Sequence, residues 1–314
     1  MRCFAACGQM WNNGIGGGRM ETAQLRTTLD YARCIAAALR GDDAAVAGLL
    51  TGAQECRDAR VPDEFSAVGL VLWQKLRTGT APAVRSDLQY ILDRHVGVER
   101  ANREALEAIG QVVDGNGALE GAPPALIGDD SVLLGLYGTL AAFRAVEWVV
   151  LVRPAANGTP RQVAAARELP FTLRVGPSQR LEVPLRRWSS DVSAAGRTWR
   201  VPTGELFAVL LAARVGDPAA LPSPPHWFHL AVALMAWRDS LNVHTVLTLA
   251  DRLDIGARAQ RGLAMVGSLF PELKPSLDLS SFEIPLWERL LAVPGAARRV
   301  VRESMAAVAR EESE

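Results

Sequence analysis

From Thr22 to Leu50 the apolar residues Leu25, Leu29, Ala32, Ile35, Ala36 and Leu39 recur at intervals of three and four with charges between them, which predicts an amphipathic helix. Similar spacing predicts helices over 64–76, 83–94 and 98–113, the last stopped by Asp114-Gly115-Asn116-Gly117. Pro123-Pro124 then forces an extended backbone into a strand around Leu126. Ser131 to Phe143 contains no breaker except Gly135 and Gly138, and Asp129 or Asp130 stands where an N-cap would, so a helix is expected there. Trp148 to Val152 is an unbroken apolar run, as in a strand buried on both faces. A short helix at 161–168 and strands at 171–175, 181–184 and 198–201 complete a mixed sheet. Beyond Thr203 the helical period returns over 204–215, 225–238, 243–253, 256–269, 284–291 and 294–311, with Pro222-Ser223-Pro224-Pro225 as a rigid link.

The expected architecture is therefore α+β, a mixed sheet between an N-terminal helical layer and a C-terminal helical bundle. The divisions expected are a flexible leader at 1–20, a helical region at 21–114, an α/β core at 115–202 and a helical region at 203–314. Asn12-Asn13-Gly14-Ile15-Gly16-Gly17-Gly18 is too rich in glycine to pack, and Met20 opens the first helical pattern. No strand precedes these glycines and no Gly-Lys-Ser/Thr follows, so a phosphate loop is not indicated.

Composition narrows the function less than the fold. A chain of 314 residues with 49% hydrophobic content can bury a large core. Lys plus Arg equals Asp plus Glu at 34 each, so no overall field draws the chain to nucleic acid or an anionic membrane. Lys occurs only at Lys75 and Lys274; the Arg and Ala excess fits a GC-rich bacterial genome better than a phosphate-binding programme. The 4 cysteines, Cys3, Cys7, Cys34 and Cys56, sit in the first fifth of the chain, which argues against a disulfide scaffold and for a reducing cytoplasm. No run approaches the ~20 apolar residues of a membrane helix, and the N-terminus lacks a signal-peptide core. Gly-x-Ser-x-Gly, His-Glu-x-x-His and Walker sequences are absent from the chain.

The acids at the ends of the proposed central strands are Asp129, Asp130 and Glu147. Two carboxylates two residues apart on a strand share a face and can hold a divalent metal under a triphosphate; here that pair of positions holds Glu147 and Val149. Leu126-Ile127-Gly128, Tyr137, Arg144, Glu147-Trp148-Val149 and Leu151-Val152-Arg153-Pro154, in that order, resemble the motifs of an uncharacterised bacterial nucleotidyltransferase family within the DNA polymerase β-like superfamily. In that family the motifs read Leu-Lys-Gly, a helix with a Tyr, an Arg, and Asp-Ile-Asp-Leu-Leu-Val. Trp199-Arg200-Val201-Pro202-Thr203-Gly204-Glu205-Leu206 is similar to the family's Pro-Ser-Pro-Glu helix start, and the resemblance spans roughly residues 85 to 272. Ile127 replaces the Lys, Val149 replaces the second Asp, and Arg144 lies one residue nearer Glu147 than the family pattern places it.

The resemblance implies a nucleotidyltransferase-like fold with a cleft for a nucleoside triphosphate and Mg²⁺. Glu147, which stands at the family's first Asp, and Asp129 and Asp130, which cluster with it at the strand ends, are the candidate catalytic residues, with Glu147 and Asp130 as metal ligands. Gly128, Gly138, Thr139, Arg144 and Arg153 would contact nucleotide, the last two through bidentate phosphate contacts. With a ligand missing, a degenerate pseudoenzyme that binds a nucleotide or a protein partner is the leading expectation, with weak or no catalysis and no cofactor required. An active transferase using Glu147 with Asp129 or Asp130, and a non-catalytic helical adaptor, are the alternatives. Plainer roles compete at each position: helix capping for Asp129 or Asp130, close packing for Gly135 and Gly138, surface charge for the arginines. His226 and His229 are spaced for a metal on one helical face, yet Trp227, Phe228 and Leu230 around them favour a half-buried helix start. Glu205 suits a helix N-terminus, and Trp148, Trp199, Trp237 and Trp287 suit a core better than base stacking.

Overall fold

Among the described residues the longest element is a single helix of 34 residues, and the sheet it lies against is the part of the fold that places the candidate acids. A computed structural model describes residues 17–42, 44–45, 82–115, 123–128, 130–143, 145, 147–152, 161–166, 172–174, 184–217, 224–273 and 277. In chain order these form α1 (Gly17–Arg40), α2 (Pro82–Gly115), β1 (Ala125–Leu126), α3 (Leu133–Tyr137), β2 (Glu147–Val152), β3 (Arg161–Ala166) and β4 (Thr172–Arg174). Then come β5 (Ser189–Ala194), β6 (Arg197–Pro202), α4 (Gly204–Val215), α5 (Pro224–Ala236), α6 (Val243–Arg252), α7 (Gly256–Leu269) and a 3₁₀ turn at Pro271–Leu273. The fold is mixed α+β.

One six-stranded sheet runs in the order β4-β3-β2-β1-β6-β5. β1 lies parallel to β6, with Ala125 opposite Arg200, and every other neighbouring pair is antiparallel. In β2 the adjacent residues Val150 and Leu151 are both buried, so the strand is covered on both faces, as its apolar run requires. Helix α2 lies against β2 and β3, while α3 lies against β5 and β6. Helix α1 makes its largest described contact with the C-terminal bundle. It packs on α5 of the C-terminal bundle, pinned there by Arg33 to Glu272 at 2.7 Å and by Arg40 donating to the Met235 carbonyl.

Several sequence expectations change. Residues 161–166 form β3 rather than a helix, because pairing along the whole of β2 outweighs the helix propensity of Ala164-Ala165-Ala166. The two helices expected at 83–94 and 98–113 are one, α2, which runs through Gly97. The helix expected over 22–50 begins at Gly17 and ends at Arg40, where Gly41 takes a positive φ of 75°. The helix expected over 131–143 is only the five residues of α3, because Gly138 adopts the left-handed conformation and returns its N–H to the Leu134 carbonyl. Residue 184, expected at the end of a strand, opens a helical turn over 184–187, and β5 forms a hairpin with β6 that its polar sequence did not announce. Helices expected at 64–76, 284–291 and 294–311, most of the strand at 181–184, residues 1–16, Cys3, Cys7, Cys56 and Trp287 lie outside the described residues.

The C-terminal bundle is held by close backbone approach. α4 crosses α7 at Gly216 and Gly262, where an added Cβ would run into the Arg258 and Ala212 carbonyls respectively. Trp199, Trp227, Phe207, Phe228 and Phe270 are fully buried and tie the sheet to the helices in one continuous core.

Candidate functional site

The antiparallel register of β1 and β2, Leu126 opposite Val150 and Ala125 opposite Leu151, runs the carboxyl end of β1 toward the amino end of β2. Gly128 and Asp130 follow the first, and Glu147 begins the second, so the segments expected to share a mouth do lie at the same end of the sheet. Positions 147 and 149 share one face of β2 by strand alternation. Asp129, Arg144 and Arg153 lie outside the described residues, and Glu147 is placed by its backbone alone.

Asp130 is not a helix cap. The cap position of α3 is Val132 and accepts no side-chain bond; the turn before it is closed by Ser131 Oγ donating to the Gly128 carbonyl at 2.9 Å. The Asp130 carboxylate instead meets His226 Nε2 at 3.1 Å, with the two side chains only 15% and 9% exposed. One turn further along α5, His229 Nδ1 meets the Tyr137 hydroxyl at 2.7 Å. The His226/His229 spacing thus brings two rings onto the 130–137 segment as paired buried struts, where a half-buried helix start was expected.

Burial dominates the chemistry of these groups. It drives the His229 pKa down to about 3, helped by nearby His226 and partly opposed by Asp130, so the ring is neutral. Burial also raises Tyr137 well above its usual value, with Tyr31 adding to the effect, so its hydroxyl keeps its proton. Tyr31 is raised by burial and then by Cys34; burial likewise pushes the Cys34 thiol up to about 12. Tyr31 Oη and His226 Nδ1 are buried and meet no hydrogen-bond partner among the described residues. Phe228 stacks on Tyr31 at 6.0 Å between ring centroids and lies edge-on to His229, closing the cluster with apolar surface.

These donors do not suit Mg²⁺, which takes oxygen ligands in near-octahedral array. Asp130 is already committed to an imidazole, position 149 carries a valine, and among the described residues no three His, Cys, Asp or Glu side chains converge as a metal set. Gly128 is buried with its carbonyl used by Ser131 and by the Val132 N–H. Gly135 serves packing, since a Cβ there would meet the Pro202 carbonyl.

No family model, curated protein or solved structure matches the chain. Among the described residues no helix is long and apolar enough to cross a membrane.

Gly138 and Thr139 sit elsewhere. They line a cavity of about 510 Å³ together with Glu99 and Arg103 of α2 and the β5–β6 turn, including Arg197. Because β6 runs parallel to β1 with Arg200 beside Ala125, that turn lies at the amino end of β1, away from Gly128 and Asp130. The expected nucleotide contacts are therefore split between two ends of the sheet. Asn102 of α2 holds the returning segment, donating to the Leu140 and Phe143 carbonyls at 2.7 Å and accepting from the Ala145 N–H.

Glu205 lies in the first turn of α4 and accepts from the Asn242 N–H at 3.3 Å. Its role is to join two helix starts, since Asn242 in turn caps α6 through the Thr245 N–H. Trp148 and Trp199 are core residues as expected, and Trp237 packs edge-on against Phe207. Arg103, Arg197 and Tyr31 were not singled out from the sequence. A lone Arg on a helix or after a turn has no distinguishing pattern, and only the fold brings Arg103 and Arg197, 94 positions apart, to one cavity.

Proposed function

We propose that the chain is a nucleotidyltransferase-like protein with a degenerate metal site, weak or no catalysis, and a cleft at the carboxyl end of β1 that binds a nucleotide or a protein partner. The observation that carries this reading is the Asp130–His226 pair. Asp130, the one carboxylate described at the β1–β2 mouth, is held by a buried imidazole, and the strand position that should supply a second acid is Val149. Phosphoryl transfer depends on positioning and charge neutralisation by the metal, so a mouth short of ligands loses the reaction before it loses the fold. The β1–β2 register and the sequence resemblance over 126–154 supply the nucleotidyltransferase part of the proposal.

A thermal-shift panel of nucleoside mono-, di- and triphosphates, each with and without Mg²⁺ or Mn²⁺, tests it. Stabilisation by a nucleotide that is indifferent to metal supports the degenerate site. Stabilisation that needs metal and vanishes in Asp130→Ala supports an active transferase instead, and no shift with any nucleotide supports the adaptor role.

A further inference from the structure

The geometry points to a second site, at the β5–β6 turn, that binds a small tetrahedral oxyanion such as phosphate, either free or carried on a small metabolite. The cavity lined by Arg103, Arg197, Thr139, Ser193 and Thr198 has the size of a small-ligand pocket and is distinct from the β1–β2 mouth. Its hydrogen-bonding capacity is weighted toward donors. Arg197 is fixed from two sides: Nη2 donates to Asp114, and the guanidinium lies 5.8 Å from the centre of the Trp199 ring. Its Nη1 meets no hydrogen-bond partner among the described residues and is itself buried, so this donor lies behind the cavity lining and reaches a ligand only if the guanidinium shifts.

Arg103 is held through Nη2 by Glu99 one turn earlier, which leaves its Nε and Nη1 donors uncommitted among the described residues. Thr139 Oγ1 accepts from the Ala141 N–H, which leaves its own hydroxyl hydrogen to donate. Gly138 and Gly196 both have positive φ, 66° and 69°, and a Cβ on either would meet nothing within 4 Å, so backbone is open to an incoming group there. Glu99 is the one acid in the lining, and its carboxylate is partly neutralised by Arg103. Both guanidiniums are already ion-paired, Arg103 with Glu99 and Arg197 with Asp114, so an oxyanion is held by the donors left over on Arg103, by the Thr139 hydroxyl and by open backbone rather than by uncompensated charge.

Calorimetric titration of the full chain with inorganic phosphate and, separately, glycerol 3-phosphate, at low ionic strength, tests the site. Saturable binding is expected with at least one of them; tighter binding of glycerol 3-phosphate identifies the metabolite-borne group, and equal or tighter binding of phosphate identifies the free ion. Arg103→Gln, at a half-exposed position, is expected to weaken binding roughly tenfold. Glu99→Gln is expected to tighten it a few-fold, a gain that loss of a merely structural contact would not give. Asp130→Asn, at the other end of the sheet, is expected to leave it unchanged. Absence of saturable binding, or unaltered affinity in both Arg103→Gln and Glu99→Gln, would overturn the proposal.

Discussion

The two ends of the central strands are built from the same stretch of chain and have opposite character. At the carboxyl end of β1, Asp130 and Tyr137 are paired with His226 and His229 in surroundings that keep His229 neutral. At the amino end, Gly138 and Thr139 open onto a cavity lined by Arg103 and Arg197. The contrast teaches that titratable residues near a strand end are a poor guide to chemistry by themselves. What distinguishes a strut from a site is whether the polar groups are sealed behind apolar side chains or border open space, since both ends keep a buried polar atom unspent.

The largest expected break in this comparison is by acid. His229 keeps a pKa of about 3 in the fold, whereas a histidine in the unfolded chain takes up its proton near 6.5. The unfolded state therefore binds more protons as pH falls through that window, and stability falls with it, by on the order of 5 kcal/mol at the limit. Above about pH 7 the effect is absent. Urea midpoints at pH 7 and pH 4.5 check this: the loss in the parent chain should exceed that in His229→Gln by roughly 3 kcal/mol.

Gly135→Ala comes next, because it strikes the wall common to both ends. A Cβ there drives α3 off the Pro202 carbonyl and Val201, at a cost of about 2–3 kcal/mol in chemical denaturation. Tyr137→Phe is milder and confined to the closed end. It leaves His229 Nδ1 buried without its partner and should cost about 1–2 kcal/mol, with the oxyanion affinity of the cavity unchanged.

The smallest effect has the opposite sign and belongs to the open end. Ala195 and Gly196 join β5 to β6 with φ of 52° and 69°, the pattern of a turn that favours Asn-Gly. Ala195→Asn should raise stability by about 0.5–1 kcal/mol, seen as a higher thermal midpoint.

Legibility in the sequence followed how local the determinants were. Helices α4 and α7 have the bounds expected of them, because the apolar period and the stop, Gly216 after α4 and Phe270-Pro271 after α7, lie within a few residues of one another. Strand β2 was legible because its burial writes an unbroken apolar run. Strand β3 was not, because Ala164-Ala165-Ala166 favours a helix until β2 and β4 pair with it. Hairpin strand β5 was hidden by its polar sequence, Ser189-Ser190-Asp191-Val192-Ser193-Ala194. The proximity of Asp130 to the start of β2 could be read from two strands and a short connection. Its partner His226 could not, since 96 residues separate them and only the docking of α5 joins them.

The central claim is that the β1–β2 mouth cannot grip a metal well enough for transfer. The most direct measurement is turnover of labelled nucleoside triphosphates by the purified full chain with Mg²⁺ and with Mn²⁺, beside Glu147→Ala. The expected result is no transfer above background from either protein. Metal-dependent turnover at an ordinary enzymatic rate, abolished by Glu147→Ala, would contradict it.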